Sequence, residues 1–209
     1  MPIFLFYGLL IVTNHMYSAP AWKLFSGIFV SGGFLFTFGG FVPSWDSSYY
    51  PLMMSQNIKY KEYLLSKWWL IVIATAISVI VASFYLFLGW KMYLAIIVGG
   101  IYNIGVNAHI VLWGGAYVKT PIDLTSGKKA LGDKKAFNSK TLLISIPKLL
   151  LPLLIFDVFY KFQGIIAGYV SVAVLGILGL AFRNKVFSFI ERIYRKEKYA
   201  TLAAYKEKN

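Results

Sequence analysis

The sequence lacks cysteine altogether and contains few acidic residues. Of its 209 residues none is cysteine, and only eight are aspartate or glutamate. The absence of cysteine excludes a disulfide framework, thiolate metal ligands and a cysteine nucleophile. Two histidines are too few for a histidine-based zinc site. We therefore expect no metal site, no bound cofactor and no catalytic residues.

Motifs for nucleotide and hydrolase chemistry are also missing. The sequence contains no G-x-x-x-x-G-K-[ST] phosphate loop, no H-E-x-x-H zinc motif and no G-x-S-x-G nucleophile elbow. Acidic residues are almost absent from the long apolar stretches, which argues against a proton relay or a cation-coupled carrier. The chain is therefore not expected to be an enzyme.

Charged residues make up only 14% of the chain, whereas hydrophobic residues make up 58%. Soluble domains contain about 25% charged residues, so this chain is too apolar to belong to that class. Its net charge is +13. Because the cations lie between long apolar runs, anionic lipid headgroups are the expected partner, and nucleic acid is not.

The apolar residues are grouped in stretches close to the length of a membrane span, which is about 20 residues. Five stretches approach this length, and a sixth is shorter and counts as a span only when extended to Tyr17. They are Pro2–Tyr17, Phe25–Val42, Trp68–Leu88, Met92–Tyr117, Thr141–Tyr160 and Phe162–Phe182. The sequence thus predicts an all-α, polytopic integral membrane protein with about six transmembrane helices. Residues 1–182 form its transmembrane domain.

Basic residues are distributed unevenly between the segments that connect these spans. If six segments cross, 17 of the 21 lysines and arginines fall on one side. They lie in the segment 43–67, in the basic loop 118–140 and in the tail 183–209. Positively charged segments remain cytoplasmic, so both termini are expected inside the inner membrane.

The segment 43–67, here called the elbow, has its own helical pattern. Pro51 suits the first turn of a short helix that reaches Ser55, and Asn57 can cap a second helix. In that helix Tyr60, Tyr63, Leu64 and Lys67 share one face. The elbow is therefore either an interfacial linker that starts the next span or a docking element for a cytoplasmic partner.

The elbow resembles the coupling element of type-2 ABC exporter permeases. The similarity rests on an acidic residue after a span, then Leu52-Met53-Met54-Ser55, Asn57-Ile58 and Tyr63-Leu64, and finally Lys67. Residues 45–69 together with Thr120-Pro121-Ile122-Asp123-Leu124 resemble a poorly characterised group of longer permeases. This chain is similar to the C-terminal part of such a permease.

The resemblance implies a permease subunit in an ATP-driven exporter. It implies an ABC ATPase as a separate partner chain and a homo- or heterodimer of permeases. Carried over to this sequence, partner docking would involve Asp46, Leu52, Met53, Asn57, Ile58 and Tyr63. Three alternatives remain open, namely a carrier or channel that works without ATP, a membrane-embedded enzyme acting on lipid, and a non-transporting assembly subunit.

Three polar residues inside predicted spans are candidates for lining a transport pathway. Asn103 and Asn107 share one helical stripe with glycines. They either bind neighbouring helices together or line a pathway. Lys148 either extends to the cytoplasmic interface or faces a polar cavity.

The tail 183–209 carries a second amphipathic pattern. An apolar stripe lies between arginines and lysines and comprises Val186, Phe187, Ile190, Ile193 and Tyr194. This pattern predicts a C-terminal amphipathic helix that lies with its apolar stripe on anionic lipid.

The predicted orientation can be tested with single cysteines, since the chain has none of its own. We expect an impermeant maleimide added to intact cells to label Lys91→Cys, because that turn lies outside, and to leave Lys129→Cys unlabelled. Labelling of Lys129→Cys only after permeabilisation completes the test. Its labelling in intact cells would contradict the orientation.

Overall fold

The computed structural model describes residues 2–13, 19–56, 58–122 and 139–206. In these ranges the chain forms helices and short turns, with no strand, which confirms the all-α fold class. The α-helices are α1 (Pro2–Thr13), α2 (Pro20–Phe38), α3 (Val42–Trp45), α4 (Tyr50–Ser55), α5 (Tyr60–Val81), α6 (Trp90–Tyr102), α7 (Ala108–Gly115), α8 (Ser139–Gln163), α9 (Ile165–Ala181) and α10 (Arg183–Lys206). A π-helical turn at Asn103–Asn107 joins α6 to α7, and the 3₁₀ segment Ala82–Leu88 extends α5.

Helices α2 and α6 cross at small residues. A Cβ atom on Gly99 would lie only 2.7 Å from the carbonyl carbon of Gly27. Two helix backbones can approach this closely only where side chains are absent. Beside the crossing, Asn103 Nδ2 donates to Ser31 Oγ and to the Ile28 carbonyl oxygen, each at 2.9 Å. The small-residue pattern thus marks packing within the chain.

The π-helical turn packs against α9. A Cβ atom on Gly105 would overlap the carbonyl oxygen of Gly176, and one on Gly179 would overlap that of Gly105. The three glycines therefore allow direct backbone contact. Helix α9 in turn packs along α8, from which it is separated by Gly164 with a φ of 85°.

Helix α10 confirms the predicted amphipathic tail helix, but its apolar stripe is buried in the protein. Phe187, Ile190 and Tyr194 are each at most 3% exposed and belong to the same core cluster as Leu64 and Trp68 of α5. The expectation that this stripe lies on lipid is therefore wrong. A protein core and a bilayer are both apolar, so either environment satisfies the same pattern.

Long apolar helices in the described ranges are compatible with membrane insertion, but fewer than six qualify as spans. Three are long and apolar enough, at Pro20–Phe38, Tyr60–Leu88 and Trp90–Gly115, and a fourth follows if α9 and α10 count as one bent span. Helix α1 has 12 residues. At 1.5 Å per residue it covers about 18 Å of the hydrocarbon thickness of about 30 Å. The rest of the predicted span Pro2–Tyr17, residues 14–17, lies outside the described residues.

The close contact between the π-helical turn and α9 can be tested with Gly105→Ala. We expect a loss of about 1–3 kcal/mol in the free energy of unfolding, because the new methyl group meets the α9 backbone. Thermal unfolding in detergent would measure the change. Val174→Ala is the control on α9, since Val174 is 47% exposed. Equal melting temperatures for the two variants would contradict the contact.

Candidate functional site

The Asp46 carboxylate connects the two ends of the elbow, namely the end of α3 and the first turns of α5. Asp46 follows α3, and it accepts hydrogen bonds from two residues of α5. Tyr63 Oη donates to Asp46 Oδ2 at 2.7 Å, and Lys67 Nζ lies 3.0 Å from Oδ1 and 2.7 Å from Oδ2. The end of α3 is therefore held against the first turns of α5.

Local sequence explains how these groups meet. Tyr63 and Lys67 are four residues apart, so they project from one face of α5. Short backbone hydrogen bonds then turn the chain at the end of α3, from the Asp46 amide to the Pro43 carbonyl and from the Tyr49 amide to the Asp46 carbonyl. The Tyr63 hydroxyl also lies 3.2 Å from the Val42 carbonyl oxygen. The position of Asp46 is thus fixed by the turn after α3 and by its contacts with α5.

An open cleft of about 380 Å³ lies beside this ion pair. Its residues come from the end of α3, from α4 and the segment after it, and from the first turns of α5. They are Asp46, Met53, Ile58, Glu62, Tyr63, Ser66 and Lys67. The cleft combines apolar side chains with one ammonium and two carboxylate groups.

The predicted docking residues occupy different environments. Leu52 is 56% exposed, whereas Tyr63 is only 5% exposed. Met53 and Ile58 are partly buried and line the cleft. Asn57 lies outside the described residues. Among the predicted docking residues that the structure describes, Leu52 is therefore the most accessible, whereas Tyr63 is buried against Asp46.

The predicted helices of the elbow are confirmed, with one difference. Helix α4 begins at Tyr50 with Pro51 in its first turn, as predicted. Tyr60, Tyr63 and Leu64 form the buried face of α5, also as predicted. The N-cap of α5 is Lys59, however, which supplies no side-chain cap.

A layer of buried tyrosines connects the elbow to α10, and the sequence analysis did not find it. The hydroxyls of Tyr50 and Tyr60 lie 3.0 Å apart. From α10, the Tyr205 ring packs edge-on to Tyr50 at 5.5 Å, and the Tyr194 ring lies 5.9 Å from Tyr60. The only available signal was the spacing of Tyr194 and Tyr205, which at 11 residues places both on one helical face.

These phenols remain neutral at physiological pH. Burial, with a further contribution from the Tyr60 hydroxyl, raises the pKa of Tyr50 well above its ordinary value. Burial likewise raises the pKa of Tyr194. It raises the pKa of Tyr205 to about 12, although the Ser44 hydroxyl opposes the shift. The layer therefore packs as an uncharged aromatic surface.

The segment after α7 contacts both the elbow and α10. The Ile122 amide donates to the Ser44 carbonyl oxygen at 3.3 Å, and Ser47 Oγ donates to the Ile122 carbonyl oxygen at 3.4 Å. Lys119 pairs with Glu197 of α10 at 2.6 Å. Elbow, post-α7 segment and α10 thus form one contiguous assembly at this end of the molecule.

The three candidate pathway residues are all buried. Asn103 and Asn107 are each 0% exposed, and Lys148 is 4% exposed. Asn107 Nδ2 donates to Asn103 Oδ1 at 2.8 Å, and Asn103 Nδ2 donates in turn to the Ile28 carbonyl oxygen of α2. Asn103 thus links its helix to α2, whereas the hydrogen bond of Asn107 stays within its own helical segment. In the part of the chain that the structure describes, no group of three His, Asp or Glu residues could hold a metal ion.

The ion pair of Asp46 and Lys67 can be compared with an exposed pair of equal length. Asp157 and Lys161 also meet at 2.7 Å, but their side chains are 47% and 69% exposed, against 23% and 19% for Asp46 and Lys67. We expect Lys67→Met to lower the free energy of unfolding by about 1–3 kcal/mol. Lys161→Met should change it by less than about 1 kcal/mol.

Chemical denaturation of both variants under identical detergent conditions would measure this difference. A Lys67→Met variant no less stable than the Lys161→Met variant would show that the elbow does not depend on this contact.

Comparison with known proteins identifies a family but no activity. The profile of a family of unknown function, DUF5687, matches residues 1–208. No curated protein and no solved structure matches at a significant level. The family description assigns no function, so the resemblance to permeases remains a hypothesis. The match covers nearly the whole chain, which therefore belongs to the DUF5687 family.

Proposed function

We propose that this chain is an integral membrane protein with about six spans and with both termini in the cytoplasm. Large apolar side chains that no described part of the protein covers support this proposal. On α5 they recur at helical spacing, and they include Trp69, Ile73, Ile77 and Ile80, which are 48–68% exposed. Water-soluble monomers rarely expose apolar patches of this extent.

Helices α8 and α9 carry similar uncovered faces. Those on α8 include Leu150, Leu154 and Val158, and those on α9 include Val170 and Val174, all between 47% and 55% exposed. A bilayer would solvate these side chains, while the helices satisfy their own backbone hydrogen bonds. The uncovered faces thus surround a core in which α2 and α6 are the most enclosed helices.

Within the membrane, the function that the geometry supports best is that of a permease subunit in an ATP-driven ABC exporter. The observation that carries this proposal is the contact of Asp46 with Tyr63 and Lys67. This contact joins the end of α3, which follows α2, to the start of α5. A force on the elbow would therefore act on α2 and α5 at once. The adjoining cleft and the exposed Leu52 offer a surface for a partner.

The mechanism would be alternating access. ATP hydrolysis would take place on a separate partner chain, and this chain would carry out no bond chemistry. Closure of the partner would push the elbow, tilt α5 and shift α10, which packs on the same tyrosine layer. A pair of permease chains would then reorient a cavity between them.

A non-transporting assembly subunit is the second candidate, and one observation favours it. Asn103 and Asn107 are fully buried and engaged in hydrogen bonds between and along helices. A buried polar residue that bonds to a neighbouring helix, as Asn103 does to α2, helps to hold a bundle together. Such a subunit would use the same elbow to bind a partner without moving a substrate.

Partner docking can be tested by placing a charge on the exposed anchor. We expect Leu52→Asp to abolish co-purification of a protein with a phosphate-binding loop, because a carboxylate would replace the apolar contact. Phe87→Asp is the matched control, since Phe87 is 92% exposed near the end of the segment Tyr60–Leu88 that is far from the elbow. Mass spectrometry of the co-purified chains and their ATPase rate would be measured.

The outcomes separate the candidates. Loss of an ATPase from Leu52→Asp alone would support the permease proposal, particularly if the ATPase rate of the wild-type complex rises with a transported substrate. Binding of a partner without ATPase activity would favour the assembly subunit. An ATPase that binds both variants equally would contradict docking at the elbow.

A further inference from the structure

Helix α10 has a second face, opposite the one that packs on the elbow. Five residues of this face and the turn residue just before α10 recur at alternating spacings of three and four, and they are here called the outer stripe. They are Phe182, Lys185, Phe189, Arg192, Lys196 and Tyr199. All six are exposed, and Phe182, Phe189 and Tyr199 are exposed by 51%, 55% and 77%. The outer stripe thus combines three aromatic and three cationic side chains that the described part of the protein leaves exposed.

The charge of the outer stripe is of one sign. It contains three cations and no carboxylate. The two acidic residues of α10 lie on other faces and have partners, since Glu191 binds Arg195 at 2.7 Å and Glu197 binds Lys119 at 2.6 Å. The positive charge of the outer stripe is therefore not neutralised by α10 itself. Such a surface is complementary to anionic groups.

The outer stripe continues the uncovered face of α9. On α9 the exposed residues are aliphatic and recur at helical spacing, from Ile166 through Val170 and Val174 to Leu178. Four residues further, Phe182 begins the outer stripe. The chain bends by 65° between the two helices. A helix that leaves a span at such an angle runs close to the membrane surface.

We infer that the outer stripe binds the headgroups of anionic lipids at the membrane surface. The change from aliphatic residues on α9 to aromatic and basic residues on α10 matches the change from hydrocarbon to headgroups. Lysine and arginine can reach lipid phosphates while their stems contact the apolar boundary. This inference rests on the proposed membrane insertion of α9.

The two faces of α10 then connect lipid to the elbow. The inner face contributes Tyr194 to the tyrosine layer, and Tyr194 Oη donates to the Leu112 carbonyl oxygen at 3.0 Å. Headgroups bound to the outer stripe would hold α10 in its place on the elbow. Lipid composition would therefore influence the position of the elbow through this helix.

Environment-sensitive labels on single cysteines in the full chain test the inference. The chain is reconstituted into phosphatidylcholine vesicles with or without phosphatidylglycerol, and a nitrobenzoxadiazole label is attached at Phe189→Cys, Asn184→Cys or Val174→Cys. We expect the emission of the label at residue 189 to shift to the blue only when phosphatidylglycerol is present. Asn184 is the exposed control on another face of α10.

A charge variant tests the electrostatic part. In the Phe189→Cys background, replacing Lys185, Arg192 and Lys196 by glutamine should abolish the blue shift that phosphatidylglycerol produces. The control replaces three exposed lysines that lie off α10 by glutamine, at Lys61, Lys91 and Lys161. It removes the same net charge and should retain the shift. High salt should weaken the shift in the unmodified stripe.

Each contrary outcome identifies what fails. A label at residue 174 that stays in water would overturn the membrane proposal and this inference together. A label at residue 174 in lipid, with equal emission at residues 184 and 189 in both vesicle types, would overturn the outer stripe alone. A shift produced by added single-stranded RNA or polyglutamate and not by phosphatidylglycerol would assign the stripe to nucleic acid or an acidic protein.

Discussion

A carboxylate shared between two donors on one helix sets the geometry at this end of the molecule. Asp46 meets Tyr63 and Lys67 at hydrogen-bonding distance, and the two donors stand one turn apart on α5. A single acidic residue therefore determines where α5 starts relative to the helices before it. Because the pair is largely shielded from water, it is screened less than surface pairs are. The cleft adjoins this contact, and α10 packs on the same elbow through the tyrosine layer.

The elbow was predictable from local sequence because its determinants are local. The proline in the first turn of α4 and the apolar face of α5 depend only on neighbours along the chain. The burial of the α10 stripe was not predictable in the same way. Its contact residues Tyr50 and Tyr60 lie more than 130 positions away from Tyr194 and Tyr205 in the chain. An apolar stripe shows that something apolar covers it, but it does not distinguish protein from lipid.

The count of spans shows a second limit of pattern reading. Windows of apolar residues measure composition, whereas a span also requires an unbroken helix of sufficient length. In the described ranges three helical segments meet both requirements, or four if the bent pair α9 and α10 counts as one span. Asn103 and Asn107 show a third limit. They were placed on one helical stripe, but the same residue types serve helix contact and solvent pathways. The hydrogen bonds of Asn103 reach α2, whereas that of Asn107 stays within the helix.

The π-helical turn at Asn103–Asn107 inserts one extra residue into the long helix formed by α6 and α7. Relative to a continuous α-helix, each extra residue rotates everything that follows by about 100°. The turn therefore rotates the side chains of α7 about the helix axis relative to those of α6. Helix α6 can then pack against α2, while α7 packs against α5 and α10. Loss of one residue from the turn during evolution would restore a regular ladder and swing Val111 and Leu112 out of the core they share with α10. The family is thus expected to conserve the length of this turn more strictly than the identity of its residues.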